Sequence, residues 1–171
     1  NADKAGIDLK KADLAVLSHG HYDHSGGFAR FLQINDRAVI YVNQNAFGRH
    51  LGKEYNYIGV DPALGESGRI IITGDEYRIR DGLCLYTCND KEQAYPAECC
   101  GLYIEEDGRI MPDTFRHEQY LLIEDGGKRF LISGCSHKGI LNIVSWFRPD
   151  YLIGGFHFRD VEMDEAGKAK L

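Results

Sequence analysis

The chain alternates short apolar runs with polar turns, and nearly every run is strand-sized. Leu14–Ser18 is apolar up to its last residue and predicts a buried strand. Phe28–Ile34 puts Phe28, Phe31 and Leu32 on one face and predicts a short helix, started by Ser25-Gly26-Gly27. Ala38–Val42 predicts a second buried strand, and Asn45–Leu51 a short helix. Gly52–Gly68, rich in glycine, tyrosine and aspartate, reads as a long loop and a candidate lid. From Arg69 the pattern turns β-rich. Ile70–Thr73, Tyr77–Ile79, Leu83–Thr87, Gly101–Glu105, Tyr120–Glu124 and Phe130–Ser133 are predicted strands, with turns at Gly74-Asp75, Asp81-Gly82 and Asp125-Gly126-Gly127. Gly139 to Phe147 predicts an amphipathic helix ended by Arg148-Pro149. Tyr151–Ile153 predicts a last buried strand. Mixed strands with few helices predict an α/β sandwich rather than a doubly wound sheet.

Composition narrows the class. With 171 residues the chain is long enough for one domain, 1–171, with a sizeable core. Lys plus Arg number 20 against 26 Asp plus Glu, a net charge of −6 that argues against non-specific nucleic-acid binding. No apolar run approaches the length of a membrane span, and no signal peptide is present. The expected partner is a small-molecule substrate, not a nucleic acid or a membrane. Five cysteines, an odd count without a secretory signal, point to a reducing, cytoplasmic compartment. The chain opens on Asn1 and a charged turn, which reads as a missing N-terminal piece.

The chemistry concentrates at Ser18-His19-Gly20-His21-Tyr22-Asp23-His24-Ser25-Gly26-Gly27. Three of the chain's seven histidines and one aspartate fall within six residues, directly after an apolar strand. Imidazole and carboxylate hold zinc, iron or manganese at neutral pH. Two later strands also run into histidine, at Gly134-Cys135-Ser136-His137 and at Gly154-Gly155-Phe156-His157. If the three strands share one sheet edge, five histidines and an aspartate converge there, and the glycines let the backbone approach closely. Two metal ions sharing a hydroxide bring the pKa of water near neutral and polarise a carbonyl or phosphoryl oxygen.

The first of these motifs resembles the metal motif of the metallo-β-lactamase superfamily. His117-Glu118-Gln119, the run from Ser133 to Ile143, and Gly154-Gly155-Phe156-His157 resemble one branch of it, the dihydropterin ribofuranosylaminobenzene phosphate synthase-like metallo-hydrolases. The resemblance runs from Asp13 to Phe158. It implies an αββα sandwich with a dinuclear site between two sheets, here lacking its N-terminal strands. It implies His19, His21 and His137 at one metal and Asp23, His24 and His157 at the other. The superfamily pattern has a bridging aspartate where this chain has Cys135. Either Cys135 contributes a thiolate, or a solvent oxygen alone forms the bridge. The implied cofactors are two divalent ions, zinc first, with manganese and iron as alternatives.

Other residues carry open alternatives. Lys138 is either a substrate-binding cation at the start of a helix or an exposed lysine. His117 and Glu118 read as support for the site more readily than as ligands, and His50 as a surface residue. Cys84, Cys88, Cys99 and Cys100 form either a small metal site or, on their spacing, apolar filler. Tyr22, Tyr55 and Tyr57 are candidate pocket residues. The resulting expectation is a metal-dependent hydrolase using a metal-activated hydroxide, with Asp23 and His21 catalytic, on a small substrate, phosphorylated or pterin-related. The alternatives are a non-catalytic metal- and ligand-binding protein of the same fold and a di-iron oxidoreductase. The last is disfavoured because such enzymes carry glutamate where His21 stands.

Overall fold

A computed structural model describes residues 2–97 and 100–157. In chain order its elements are β1 (Leu14–Val16), α1 (Tyr22–Ser25), α2 (Phe28–Ile34), β2 (Val39–Asn43), β3 (Arg49–Leu51), β4 (Ile70–Thr73), β5 (Glu76–Arg80), β6 (Leu83–Tyr86), β7 (Tyr103–Glu106), β8 (Arg109–Pro112), β9 (Tyr120–Asp125), β10 (Lys128–Ser133), α3 (Ile140–Phe147) and β11 (Tyr151–Gly154). Short 3-10 turns sit at Asp3–Ala5, Leu9–Lys11 and Pro62–Glu66.

The strands form three sheets. β1, β2 and β4 are parallel, in that order. The second sheet has the order β11-β10-β9-β6-β5; only β10 and β11 are parallel, joined through α3. β3, β7 and β8 form a small antiparallel sheet. The first and second sheets each build their own core with their own helix. Leu17, Ile40, Val42 and Ala46 pack with Phe28, Phe31 and Leu32, the face of α2 that the spacing predicted. Tyr120, Leu122 and Leu131 pack with Ile140, Ile143 and Phe147 of α3. The result is a mixed α/β arrangement of sheets, each core closed by a helix.

Polar bonds join the first two sheets where they meet. Gln119, just before β9, donates from Nε2 to the Leu17 and Tyr41 carbonyls at 2.8 and 3.3 Å and accepts from Thr73 Oγ1 at 2.9 Å. The three site-bearing strand ends therefore do not share one sheet edge as expected. β1 lies in one sheet and β10 and β11 in another, and their loops converge across the junction. Every one of these ends is the carboxyl end of a parallel strand, the usual place for a site in sheets of this kind.

Two local expectations are corrected, and one strand goes beyond them. Asn45–Leu51 is a turn followed by β3, because His50 and Leu51 pair with Ile104 and Tyr103 of β7. Gly52–Gly68 is no free lid: Val60 and Leu64 are buried in the first core, and the Tyr22 amide donates to the Ile58 carbonyl at 2.8 Å. β8 carries no apolar alternation because all four of its residues are exposed. It forms through the Asp107-Gly108 turn, where both residues adopt positive φ, and Pro112 is tolerated on its edge.

Candidate metal centre

His19 leaves the end of β1 and turns inward, with 1% of its surface exposed. Ser18 Oγ stands 3.0 Å from His19 Nδ1. That contact leaves Nε2 as the free position, and His19 Nε2 is buried with no hydrogen-bond partner. His21 Nε2 and both ring nitrogens of His137 are likewise buried and unpartnered. A buried unsatisfied nitrogen costs about 1–3 kcal/mol, and a cluster of them suits a ligand that several nitrogens can share. Ring nitrogens of His19, His21 and His137 lie within 4.8 Å of one another. An imidazole donor set of this kind fits a divalent transition metal.

Two further groups extend the cluster outward. His19, His24 and Cys135 form one, and Cys135, His137 and His157 the other. Cys135 Sγ lies 3.1 Å from His24 Nε2. Asp23 sits at the rim with its carboxylate 3.8 Å from His24 Nε2 and its side chain 61% exposed, and it joins none of the close groups. Among the expected ligands the structure thus gathers His19, His21, His24, Cys135, His137 and His157 and leaves Asp23 at the edge.

The close approach has a cause in the sequence. A Cβ on Gly134 would collide with the Ser18 side chain, so glycine lets the β10 loop reach the β1 loop. Ser136 and His157 hold positive φ although they are not glycine, and strain of this kind gathers at functional sites. The β10 and β11 ends are stitched together. Ser136 Oγ donates to the Gly155 carbonyl at 2.7 Å, and the Gly155 amide to the Gly134 carbonyl at 2.9 Å.

Burial keeps the site histidines neutral and therefore able to bind metal. It lowers His21 to about 2, helped by the neighbouring His117, His137 and His50. It lowers His137 to about 3, helped by His157 and His117, and moves His19 well below its ordinary value. Burial pushes the Cys135 thiol up to about 11, and a bound cation reverses that balance. A consequence follows for the metal-free protein. These histidines take up protons below about pH 6.5 in the unfolded chain but not in the folded one, so stability is full above that pH and falls as acid is added. Each such histidine costs about 2 kcal/mol between pH 7 and pH 5. Denaturant midpoints of the metal-free protein should drop steeply over that interval, and a flat profile would contradict neutral buried imidazoles.

Several residues take unexpected places. Lys138 is buried, and its ammonium donates to the Thr87 carbonyl at 2.6 Å and to Asn89 Oδ1 at 2.7 Å. It is neither the exposed lysine nor a free cation. Burial lowers it to about 8, with Glu118 opposing. Glu118 is fully buried and accepts from the His137 and Lys138 amides at 2.9 and 3.2 Å and from the Tyr120 hydroxyl at 2.6 Å. His50, expected at the surface, is fully buried and 3.0 Å from Asp113 Oδ2, because β3 turns it inward while Arg49 faces out. Asp113 and Phe115 escaped the sequence reading altogether. The Phe115 ring stacks on His137 at 4.4 Å. The Asp113-x3-His117 spacing was the available signal for the first of these.

Cys88 packs in the second core, and Cys84 lies in β6. Among the described residues neither joins a metal-ligating group. Cys99 lies outside the described residues, and Cys100 Sγ is 3.7 Å from His157 Nδ1. Tyr22 and Tyr57 line an apolar cavity of about 530 Å³ beside α1, while Tyr55 stacks on Tyr103. A smaller cavity, about 310 Å³, abuts His137 and is lined by Gln93, Thr114 and Phe115. No helix among the described residues is long and apolar enough to cross a membrane.

Fold and site together define a metallo-β-lactamase-type domain with a candidate metal-binding histidine cluster. The family model described as "Beta-lactamase superfamily domain" matches residues 2–114, and the chain belongs to that superfamily. It is 30% identical to 7,8-dihydropterin-6-methyl-4-(beta-D-ribofuranosyl)-aminobenzene-5'-phosphate synthase of Methanocaldococcus jannaschii, over 91% of this chain and 60% of that protein. It is 29% identical to the uncharacterized protein MJ0448 of the same organism, over 85% of this chain and 57% of that protein. The chain thus spans less than two thirds of the length of these relatives. Among solved structures it is similar to Tm1679, a metal-dependent hydrolase of the beta-lactamase superfamily. That match has a TM-score of 0.76 and 27% identity, covering 98% of this chain and 65% of the other. A quorum-quenching N-acyl homoserine lactone lactonase shares the fold at a TM-score of 0.53 and 14% identity, over 96% of this chain and 65% of that one.

Proposed function

We propose that this chain is the metal-binding part of a metal-dependent hydrolase acting on a small molecule. The observation that carries this reading is the convergence of unpartnered buried nitrogens from His19, His21 and His137. His19, His21 and His137 would hold one divalent ion, and Cys135, close to His24 on one side and to His157 on the other, would contribute to a second, with Asp23 as an oxygen donor at the open rim. Zinc is the first choice, because imidazole and thiolate donors suit it better than magnesium or calcium. Such ions lower the pKa of water and polarise a carbonyl or phosphoryl oxygen.

The chain's own residues supply the rest. Ser18 fixes the His19 ring, Phe115 stacks on His137, and the Glu118 carboxylate holds the backbone that presents His137. As a donor at the rim, exposed beside His24, Asp23 would also orient an attacking water. The substrate class follows from the relatives: a phosphate-bearing molecule with a pterin or aminobenzene ring, as named for the Methanocaldococcus jannaschii synthase. That name leaves a second reading, in which the same centre serves a condensation.

The test is metal content by mass spectrometry, followed by turnover of phosphomonoesters, phosphodiesters, lactones and reduced pterins. About two zinc ions per chain and metal-dependent hydrolysis lost in Asp23→Asn would support the hydrolase. Pterin consumption without hydrolysis would favour the synthase. Metal without turnover of any kind would make it a binding protein.

A further inference from the structure

A second cluster of imidazoles lies directly behind the candidate metal centre. His21, His50, Asp113 and His117 are all buried, and their ligating atoms lie within 4.8 Å of one another. By composition this tetrad could itself hold an ion. The hydrogen bonds of His117 take both of its own ring nitrogens out of that set. The Gly20 amide points at His117 Nδ1 from 2.8 Å. An N–H facing Nδ1 requires a lone pair there, so neutral His117 carries its proton on Nε2. That Nε2–H faces Asp113 Oδ2 at 3.2 Å, and no lone pair remains on the ring for a metal. Neutral His50 can donate to only one of its two neighbouring acceptors, Asp113 Oδ2 at 3.0 Å from Nδ1 or the Asn45 carbonyl at 3.2 Å from Nε2. Asp113 Oδ1 accepts from the Phe115 amide at 2.7 Å.

We propose that His117, anchored by Asp113, is a positioning residue that holds the His19-Gly20-His21 backbone in metal-binding geometry through the Gly20 amide and does not bind metal itself. The inference rests on the metal-centre reading above and extends it to residues outside the ligand set. Gly20 lies between two ligands, so fixing its amide fixes the direction in which both side chains leave the chain. A Cβ on Gly20 would collide with the Ala46 backbone, so the loop is clamped from the opposite side too. The His117 ring also packs against His21 at 5.1 Å and against His19 at 6.0 Å between centroids.

The whole segment 113–119 acts as one bracket. Phe115 stacks on His137, His117 holds Gly20, Glu118 holds the His137 amide, and the Gln119 amide donates to the Ser18 carbonyl at 2.8 Å. It therefore ties the β1 loop to the β10 loop and sets the separation of His19 and His21 from His137. Outer partners of this kind are worth about 10- to 100-fold in metal affinity.

Two measurements test this. The first is the histidine tautomer pattern from long-range proton–nitrogen NMR spectra, with His117 assigned by its loss in His117→Asn. The expected pattern is Nε2–H for His117 both before and after zinc is added. A shift of the His117 proton to Nδ1 on zinc addition would show a ligand and overturn the proposal. The second is zinc affinity by chelator competition in His117→Leu and His117→Asn. Both should keep the wild-type zinc stoichiometry. Leu should weaken binding roughly 10- to 100-fold, and Asn, whose Oδ1 can still accept from the Gly20 amide, should recover part of that loss. Equal affinity in Leu, Asn and wild type would overturn the positioning role, as would a lost zinc ion in either variant. If wild type binds no zinc, the metal-centre reading fails, while the tautomer of the metal-free protein still decides whether Gly20 and Asp113 fix His117.

Discussion

Replacing His21 by alanine is expected to weaken zinc binding by roughly 10²–10³-fold and to abolish metal-dependent turnover. Structural zinc sites hold their ion with about 10–16 kcal/mol spread over four ligands, or ~3–4 kcal/mol for each. His21 is the middle of the cluster: its ring lies 4.7 Å from His19 and 5.0 Å from His137. Removing it leaves His19 and His137 as the two imidazoles of that group. The metal-free protein should respond differently. His21 Nε2 is buried without a partner, so alanine relieves an unsatisfied group even as it opens a cavity, and these effects offset. The paired result, a large loss in affinity with a small change in metal-free stability, would mark His21 as a residue kept for binding. Chelator competition and denaturant unfolding of the same samples measure both. Unchanged zinc affinity would move the centre away from His19, His21 and His137. Asp23→Asn serves as the comparison, since an exposed rim carboxylate should change affinity less than it changes turnover.

How far this arrangement was legible in the chain depends on the distance each signal spans. The strand Leu14–Ser18, the helix Phe28–Ile34 and the helix before Arg148-Pro149 follow from local apolar spacing, and the structure has them within a residue or two. The first histidine run was equally local. His50 was misread because its burial depends on β3 pairing with β7, more than fifty positions downstream, and no periodicity reports that pairing. β8 was missed because an exposed strand buries nothing and so leaves no apolar trace. Asp113 and Phe115 matter only through partners in other loops, His50 and His137. Lys138 was read from its place beside a helix start, yet its side chain is drawn inward by the Thr87 carbonyl and Asn89. Sequence order places a ligand on a strand end, but the support of that ligand is set by contacts between sheets.

Glu118 is the residue whose loss should cost most in stability. It lies wholly inside the protein and satisfies three donors at once: the His137 amide, the Lys138 amide and the Tyr120 hydroxyl. Its charge also opposes the burial that lowers the Lys138 ammonium to about 8. Glu118→Ala strands those three buried donors, each at about 1–3 kcal/mol. In a domain of this size that approaches the whole margin of stability, so the variant should be largely unfolded at moderate temperature. Glu118→Gln keeps the shape and one acceptor oxygen but not the charge, and should fall between alanine and wild type. Lys138→Met tests the electrostatic part, because in that background the Glu118→Gln cost should shrink by about 1–3 kcal/mol of coupling. Additive costs would show that Glu118 serves the two amides and the Tyr120 hydroxyl alone. In either case zinc should restore part of the lost stability, since the loop that Glu118 holds is the one that carries His137.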